Sequence, residues 1–195
     1  SSEEILKLSK GLIKLGVQEG DHVAVIGRNR PSLYWSLLAC QHIGAIPVPL
    51  YQDAVAEEME YILSHCGASF AVVGDQEQVD KIQDISDRLK GFKDIVFVDP
   101  KGLRKYDKKN LHSLAEILEI GSSDSAELAK ELKRRVEKIT GDSTCVLLYT
   151  SGTTGRSKGV VQTHRAIIGA SGGANQHDSW THDDYLLSYL PMAWV

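Results

Sequence analysis

The periods of apolar residues along this chain switch repeatedly between helix-like and strand-like. Ile5, Leu8, Leu12 and Leu15 recur at helical spacing, so 3–15 is predicted to be an amphipathic helix. Ser2 is its candidate N-cap, Glu3 and Glu4 suit the first turn, and Gly16 suits the stop. After the turn Gln18–Asp21, residues His22 to Gly27 form a short apolar strand. Arg28-Asn29-Arg30-Pro31 opens a second helix through about His42, with Pro31 near its first position and Gly44 at its end. Ala45-Ile46-Pro47-Val48-Pro49-Leu50 is apolar but holds two prolines, which argues for an edge or extended segment.

The alternation continues. Ala54 to His65 is predicted helical and ended by Gly67, Ser69 to Gly74 is a strand, Gln76 to Leu89 a helix, and Asp94 to Val98 a strand closed by Asp99-Pro100. Leu111 to Ile120 and Ser125 to Ile139 are predicted helices, with Gly121-Ser122-Ser123 as the break between them. Ser125 is the N-cap of the second, with Glu127 early and Lys133, Arg134 and Arg135 late, as the helix dipole prefers. Two short strands follow, Cys145–Tyr149 and Val160–Thr163. His164 to Gln176 reads as a helix capped by Thr163 and weakened by Gly169, Gly172 and Gly173. Tyr185 to Leu190 alternates weakly and is expected to be a core strand ending at Pro191. Strand–helix alternation of this kind implies an α/β fold, a parallel-type sheet with crossover helices.

Composition narrows the function classes. The chain has 195 residues, 42% of them apolar, enough for one sizeable core. Net charge is 22 − 26 = −4, which gives no electrostatic reason to expect nucleic acid or an anionic membrane surface. Cys40, Cys66 and Cys145 are odd in number and set among apolar residues, as buried thiols in a reducing compartment are. With no signal peptide and no apolar run of transmembrane length, a cytoplasmic location is expected, and peripheral membrane contact stays open. The missing initial Met and the stop at Val195 inside an apolar segment lead us to expect a piece of a longer protein. Strands completed by later residues would then leave open edges, which invite dimerisation.

The chemistry concentrates between the last two strands, in Thr150-Ser151-Gly152-Thr153-Thr154-Gly155-Arg156-Ser157-Lys158-Gly159. Hydroxyls, glycines and a lysine in one loop suit a polyphosphate. Glycines let backbone N–H groups turn inward to form an anion-holding concavity, hydroxyls donate to phosphate oxygens and reach a bound cation, and Lys158 supplies a point charge. It is not a Walker A loop. Counting five on from Gly152 gives Ser157, and from Gly155 gives Val160, so neither register supplies the required Gly-Lys-Ser/Thr. A surface hairpin rich in Ser, Thr and Gly has the same composition. No GxGxxG follows the first strand, so the dinucleotide fingerprint is absent.

Leu147-Leu148-Tyr149-Thr150-Ser151-Gly152-Thr153-Thr154-Gly155-Arg156-Ser157-Lys158-Gly159 resembles the phosphate loop of the AMP-forming acyl-CoA synthetases, the adenylate-forming (AMP-binding) family. Ser157 departs from it, since the family usually has proline there; the change frees a φ angle but removes no phosphate ligand. Gly16–Val25 and Gly44–Leu50 also look like segments of this family, so the resemblance covers nearly the whole chain. It implies that residues 1–195 are an incomplete N-terminal adenylation domain. It also implies activation of a carboxylic acid by ATP to an acyl adenylate, then transfer to coenzyme A. Thr150, Ser151, Gly152, Thr153, Thr154, Gly155 and Lys158 would hold the phosphates, with Mg²⁺ as the metal and Thr150 as its ligand. Leu187–Trp194 is similar to the segment approaching the acyl pocket of long-chain members, and Trp194 would line or gate that pocket. The family's remaining motifs lie beyond Val195, so no catalytic residue is assigned and the isolated chain is expected to be inactive. A fatty acyl-AMP ligase, an aminoacyl-adenylating domain and a non-catalytic nucleotide-binding module are the alternatives.

Two other clusters invite chemistry. Lys101, Arg104, Lys105, Lys108 and Lys109 form either an anion patch or a solvated loop, and without interleaved aromatics the loop is the better reading. His177, Asp178, His182, Asp183 and Asp184 show no shared face and no metal-ligand spacing, so a polar turn is expected there. His164, beside the loop, suits a helix-start packing role as well as a ligand contact.

Overall fold

Five strands make one parallel sheet: β1 (His22–Ile26), β2 (Ile46–Leu50), β3 (Ala68–Val73), β4 (Asp94–Phe97) and β5 (Leu111–Ser113), in the order β2-β1-β3-β4-β5. This computed structural model describes residues 1–150, 155–178, 181, 185 and 188–193, with the side chains of 174–178 outside the description. Crossovers run through α2 (Pro31–His42), α3 (Ala56–Cys66) and α4 (Gln76–Ser86). The α/β expectation therefore holds. The two prolines lie where expected, on β2 at the edge of the five-stranded sheet, with Pro47 opposite Val23 and Pro49 opposite Val25.

Strand alternation divides the core in two. Ala24, Ile26, Ala71 and Val73 point towards α3 and α4, where Met59, Leu63, Val79 and Ile82 bury against them. Val23, Val25, Phe70 and Val72 point the other way, onto α2, α1 (Ser2–Leu15) and α5 (Leu114–Ser122). Burial of both faces accounts for strands that read as continuous apolar runs. At the end of α1, Gly16 takes φ 106° and its N–H bonds to the carbonyl of Ile13, a left-handed cap that a side chain would strain.

One cap is corrected, since Ser1 and not Ser2 precedes α1 and makes no side-chain capping bond, and three expectations about whole elements need correction. The predicted helix at Leu111 begins instead with β5, pairing Ile95 with Leu111 and Phe97 with Ser113. A capping box sets the switch: Ser113 Oγ accepts from Glu116 N at 3.1 Å, and Ser113 N donates to the Glu116 carboxylate at 2.7 Å. The Ser113 N–H foremost, and then the Ser113 hydroxyl donating at 2.9 Å, hold the Glu116 carboxyl below its usual range. Second, Gly121 and Ser122 are not a break but the last turn of α5. A Cβ at Gly121 would collide with the carbonyl oxygen of Lys7, and one at Gly11 with that of Ile117, so two glycines let α1 and α5 touch backbone to backbone. Third, Tyr185, Ser188, Tyr189 and Leu190 are in no strand. The side-chain amide of Asn29 donates to the carbonyls of Ser188 and Leu190, at 3.0 and 2.7 Å, binding this segment by a side chain rather than a ladder. Leu186 and Leu187 lie outside the described residues.

After α6 (Ala126–Lys138), capped by Ser125 as expected, the chain forms an antiparallel pair, β6 (Thr144–Thr150) and β7 (Lys158–Thr163), and then α7 (His164–Asp178). Thr163 caps α7, its Oγ1 accepting from Ala166 N at 3.2 Å.

Candidate functional site

The hairpin is fixed through one strand. Residues Cys145 to Tyr149 of β6 are buried, and Leu147 and Tyr149 join the core beneath α3 and α4. Gln41 of α2 donates to the Cys145 carbonyl at 3.1 Å, tying the same strand to the sheet domain. β7 lies outside it, with Lys158 to Val161 exposed. Gly159 is needed for their contact, because a Cβ there would lie 3.2 Å from Leu147 Cδ1 and 3.3 Å from Tyr149 Cζ.

This register sets the mouth of the loop. Thr150 and Lys158 are paired across the ladder, so the segment between them starts and ends about one strand spacing apart. Both are exposed, and Lys158 makes no ion pair with the described residues. Gly155 takes φ +125°, a conformation that L side chains rarely adopt, and nothing stands within 4 Å of where its Cβ would be. Of the predicted phosphate-binding residues, the structure thus brings together Thr150 and Lys158, and places Gly155 in the loop between them. Ser151, Gly152, Thr153, Thr154 and Trp194 lie outside the described residues.

Two cavities flank the loop. The larger, about 810 Å³, lies between the loop and α3 and is lined by Glu57, Glu58, Glu60, Arg156 and Ser157. Three carboxylates make it a poor seat for a polyphosphate. The smaller, about 230 Å³, is bounded by Thr150 and Ser157, by Glu58, which it shares with the larger, and by the apolar Leu50, Ile62 and Ala193. Ala193 is buried, so the chain just before Trp194 reaches the same place as the foot of the loop.

Residues that sequence reasoning missed hold the loop from α3. The Arg156 guanidinium lies 5.2 Å from the Tyr61 ring centroid, and Tyr61 Oη donates to the Ser157 carbonyl at 3.1 Å. His65 Nδ1 lies 2.6 Å from Tyr149 Oη. Burial pushes the Tyr149 hydroxyl up to about 12, so it stays protonated. Tyr61 and Ser157 are 96 positions apart, so no local signal marks the pair.

Elsewhere the candidates fall to structural roles. Burial raises the thiols of Cys40 to about 12 and Cys66 to about 11, which leaves them poor nucleophiles. Lys108 lies over the Phe97 ring at 5.0 Å, and the basic stretch is a solvated loop around a 3₁₀ turn, Leu103–Lys105. His164 starts α7 with its N–H on the Ser143 carbonyl. The side chains of His177 and Asp178, and all of His182, Asp183 and Asp184, lie outside the described residues. Among the described residues there is no group of three metal-ligating side chains, and no helix is long and apolar enough to cross a membrane.

The parallel sheet with crossover helices is shared with solved N-terminal domains of adenylate-forming enzymes. The chain belongs to the AMP-binding enzyme family, whose model matches residues 2–195. It is 30% identical over 194 residues to the rat (Rattus norvegicus) long-chain-fatty-acid–CoA ligase ACSBG1, covering 97% of this chain and 26% of that protein. It is also 30% identical over 187 residues to fatty acyl-CoA synthetase A of Dictyostelium discoideum, covering 95% and 27%. The inhibitor-bound N-terminal domain of FACL13 from Mycobacterium tuberculosis superposes with a TM-score of 0.77 at 26% identity, over 98% of this chain and 43% of that one. The chain thus spans about a quarter of the length of these curated relatives.

Proposed function

We propose that the complete protein carrying this chain joins a carboxylic acid, a long-chain fatty acid, to coenzyme A through an acyl adenylate made from ATP. The carboxylate displaces pyrophosphate from the α-phosphorus, and the thiol of coenzyme A then displaces AMP. In this reading the chain supplies the seat for the departing pyrophosphate: backbone N–H groups at Gly152 and Gly155, the hydroxyls of Thr150, Ser151, Thr153 and Thr154, and the ammonium of Lys158. Such preorganised donors stabilise charge where it develops. Holding the phosphates in line with the attacking carboxylate removes much of the entropic barrier.

One observation carries the proposal. Thr150 and Lys158 face each other at the loop end of a hairpin whose inner strand is buried and whose outer strand is not. A hydroxyl and an ammonium that makes no ion pair among the described residues thus stand at the two feet of the glycine-rich loop. The described residues offer a magnesium ion one exposed hydroxyl and no carboxylate cage. This fits an ion that keeps its waters and is held mainly by substrate phosphates, with Thr150 as the protein's donor. When bound, magnesium would neutralise phosphate charge. The proximity of Ala193 to Thr150 supports Trp194 as part of the acyl pocket.

The test is acid-dependent pyrophosphate release by the complete protein, across carboxylic acids of rising chain length and a set of amino acids. Release with long-chain acids, followed by thioester formation with coenzyme A, is expected. Release with amino acids alone, or with no acid at any length, would overturn the substrate or the reaction respectively.

A further inference from the structure

We propose that Tyr61 is a positioning residue that clamps the trailing arm of the phosphate loop to α3; the proposal rests on the loop's role above. Tyr61 and His65 are four residues apart and so share one helix face, with ring centroids 5.7 Å apart. Each holds a different arm of the hairpin. His65 meets the hydroxyl of Tyr149, the residue before Thr150. Tyr61 holds the other arm twice, under the Arg156 guanidinium and through its hydroxyl on the Ser157 carbonyl.

The second grip matters because β7 is otherwise exposed over Lys158–Val161. Among the described residues, nothing on that side does for Lys158 what core burial does for Tyr149. Arg156 shares a cavity with Glu57, Glu58 and Glu60, yet makes no ion pair with them among the described residues. A guanidinium laid on an aromatic face gains from the ring quadrupole while the arm is drawn onto the helix. Lys158 directly follows Ser157, so fixing the Ser157 carbonyl fixes the start of the strand that presents the ammonium.

The complete protein tests this with Tyr61→Phe, which keeps the ring and removes the donor, and Tyr61→Leu, which removes both. Loss of the clamp should raise the KM for ATP about threefold in the first and about tenfold in the second, with the KM for the acid unchanged. Trypsin cleavage after Arg156 in nucleotide-free protein should quicken in the same order, and saturating ATP should restore protection. Unchanged ATP KM and cleavage in both variants would overturn the clamp. So would an equal rise in KM for ATP and acid that tracks lost thermal stability, the mark of a purely structural residue. Should Tyr61→Leu fail to fold, Tyr61→Phe still decides. Lys158→Ala separates the two levels. If it leaves ATP use untouched, the phosphate-loop reading fails; if it abolishes ATP use while the Tyr61 variants behave as wild type, only the clamp fails.

Discussion

The parallel sheet and the β6–β7 hairpin sit side by side but are held by different means. Strand β3 is buried along its whole length, with helices on both faces. In the hairpin only β6 is buried, and β7 presents Lys158 to Val161 to solvent. The sheet domain is specified by packing, where small changes of volume are felt. The feet of the loop are held by a ladder, one glycine contact and a pair of ring-bearing side chains. Under the proposed function, the chain would thus place its chemistry where internal constraint is least.

The contrast breaks first, and most heavily, on the sheet side. Gly121→Ala in the complete protein puts a methyl group into the Lys7 carbonyl where α1 and α5 touch. An overpacked backbone contact of this kind should cost about 3 kcal/mol, read as a lower denaturant midpoint with an unchanged slope. The KM for ATP should not move while the protein is folded. An unshifted midpoint would mean that the two helices do not approach as described.

Lys158→Ala probes the other side. Removing one preorganised donor should lower acid-dependent pyrophosphate release about a hundredfold. The thermal midpoint should hardly change, since Lys158 is exposed and makes no ion pair among the described residues. If this variant lost as much stability as Gly121→Ala with little loss of turnover, the division of labour would be reversed.

How far the chain could be read follows the same division. Local signals gave the helix ends: Pro31 at the start of α2, Gly16 in the left-handed cap of α1, and the Ser125 and Thr163 caps. The prolines of β2 marked an edge. The failures were tertiary. Strand β5 has three residues, too few for a period, and the capping box at Ser113 absorbed it into the following helix. Gly121 looked like a breaker because the need for a missing Cβ comes from α1, over a hundred positions away. Tyr185 to Leu190 looked like a strand because its apolar content said nothing of Asn29, which binds its carbonyls. At the candidate site, the strand on each side of the loop was legible. The grip of Tyr61 and His65 was not, because a lone aromatic on an amphipathic helix carries the same sequence signature whether it packs in a core or holds a loop.

The smallest expected effect sharpens the comparison through pH. Glu131 on α6 accepts from Arg134 Nη2 at 2.7 Å and Arg135 Nε at 2.8 Å, and Arg134 also reaches Glu19 at 2.6 Å. The Arg134 hydrogen bond, then that of Arg135, pushes the Glu131 carboxyl down to about 2 from an ordinary 4.5. A carboxyl depressed in the folded state contributes stability that is fully present above the unfolded value and is lost as pH falls through the folded one. Wild type should therefore exceed Glu131→Gln in stability at neutral pH, and the gap should close between pH 4.5 and about 2. Glu131 is solvent-accessible, so screening keeps the gap small. The hairpin from Ser143 to Thr163 contains no Asp or Glu, so none of this acid response originates there. A gap that stayed constant as the pH fell through this window would show that the arginines hold α6 by packing of their stems and not by charge.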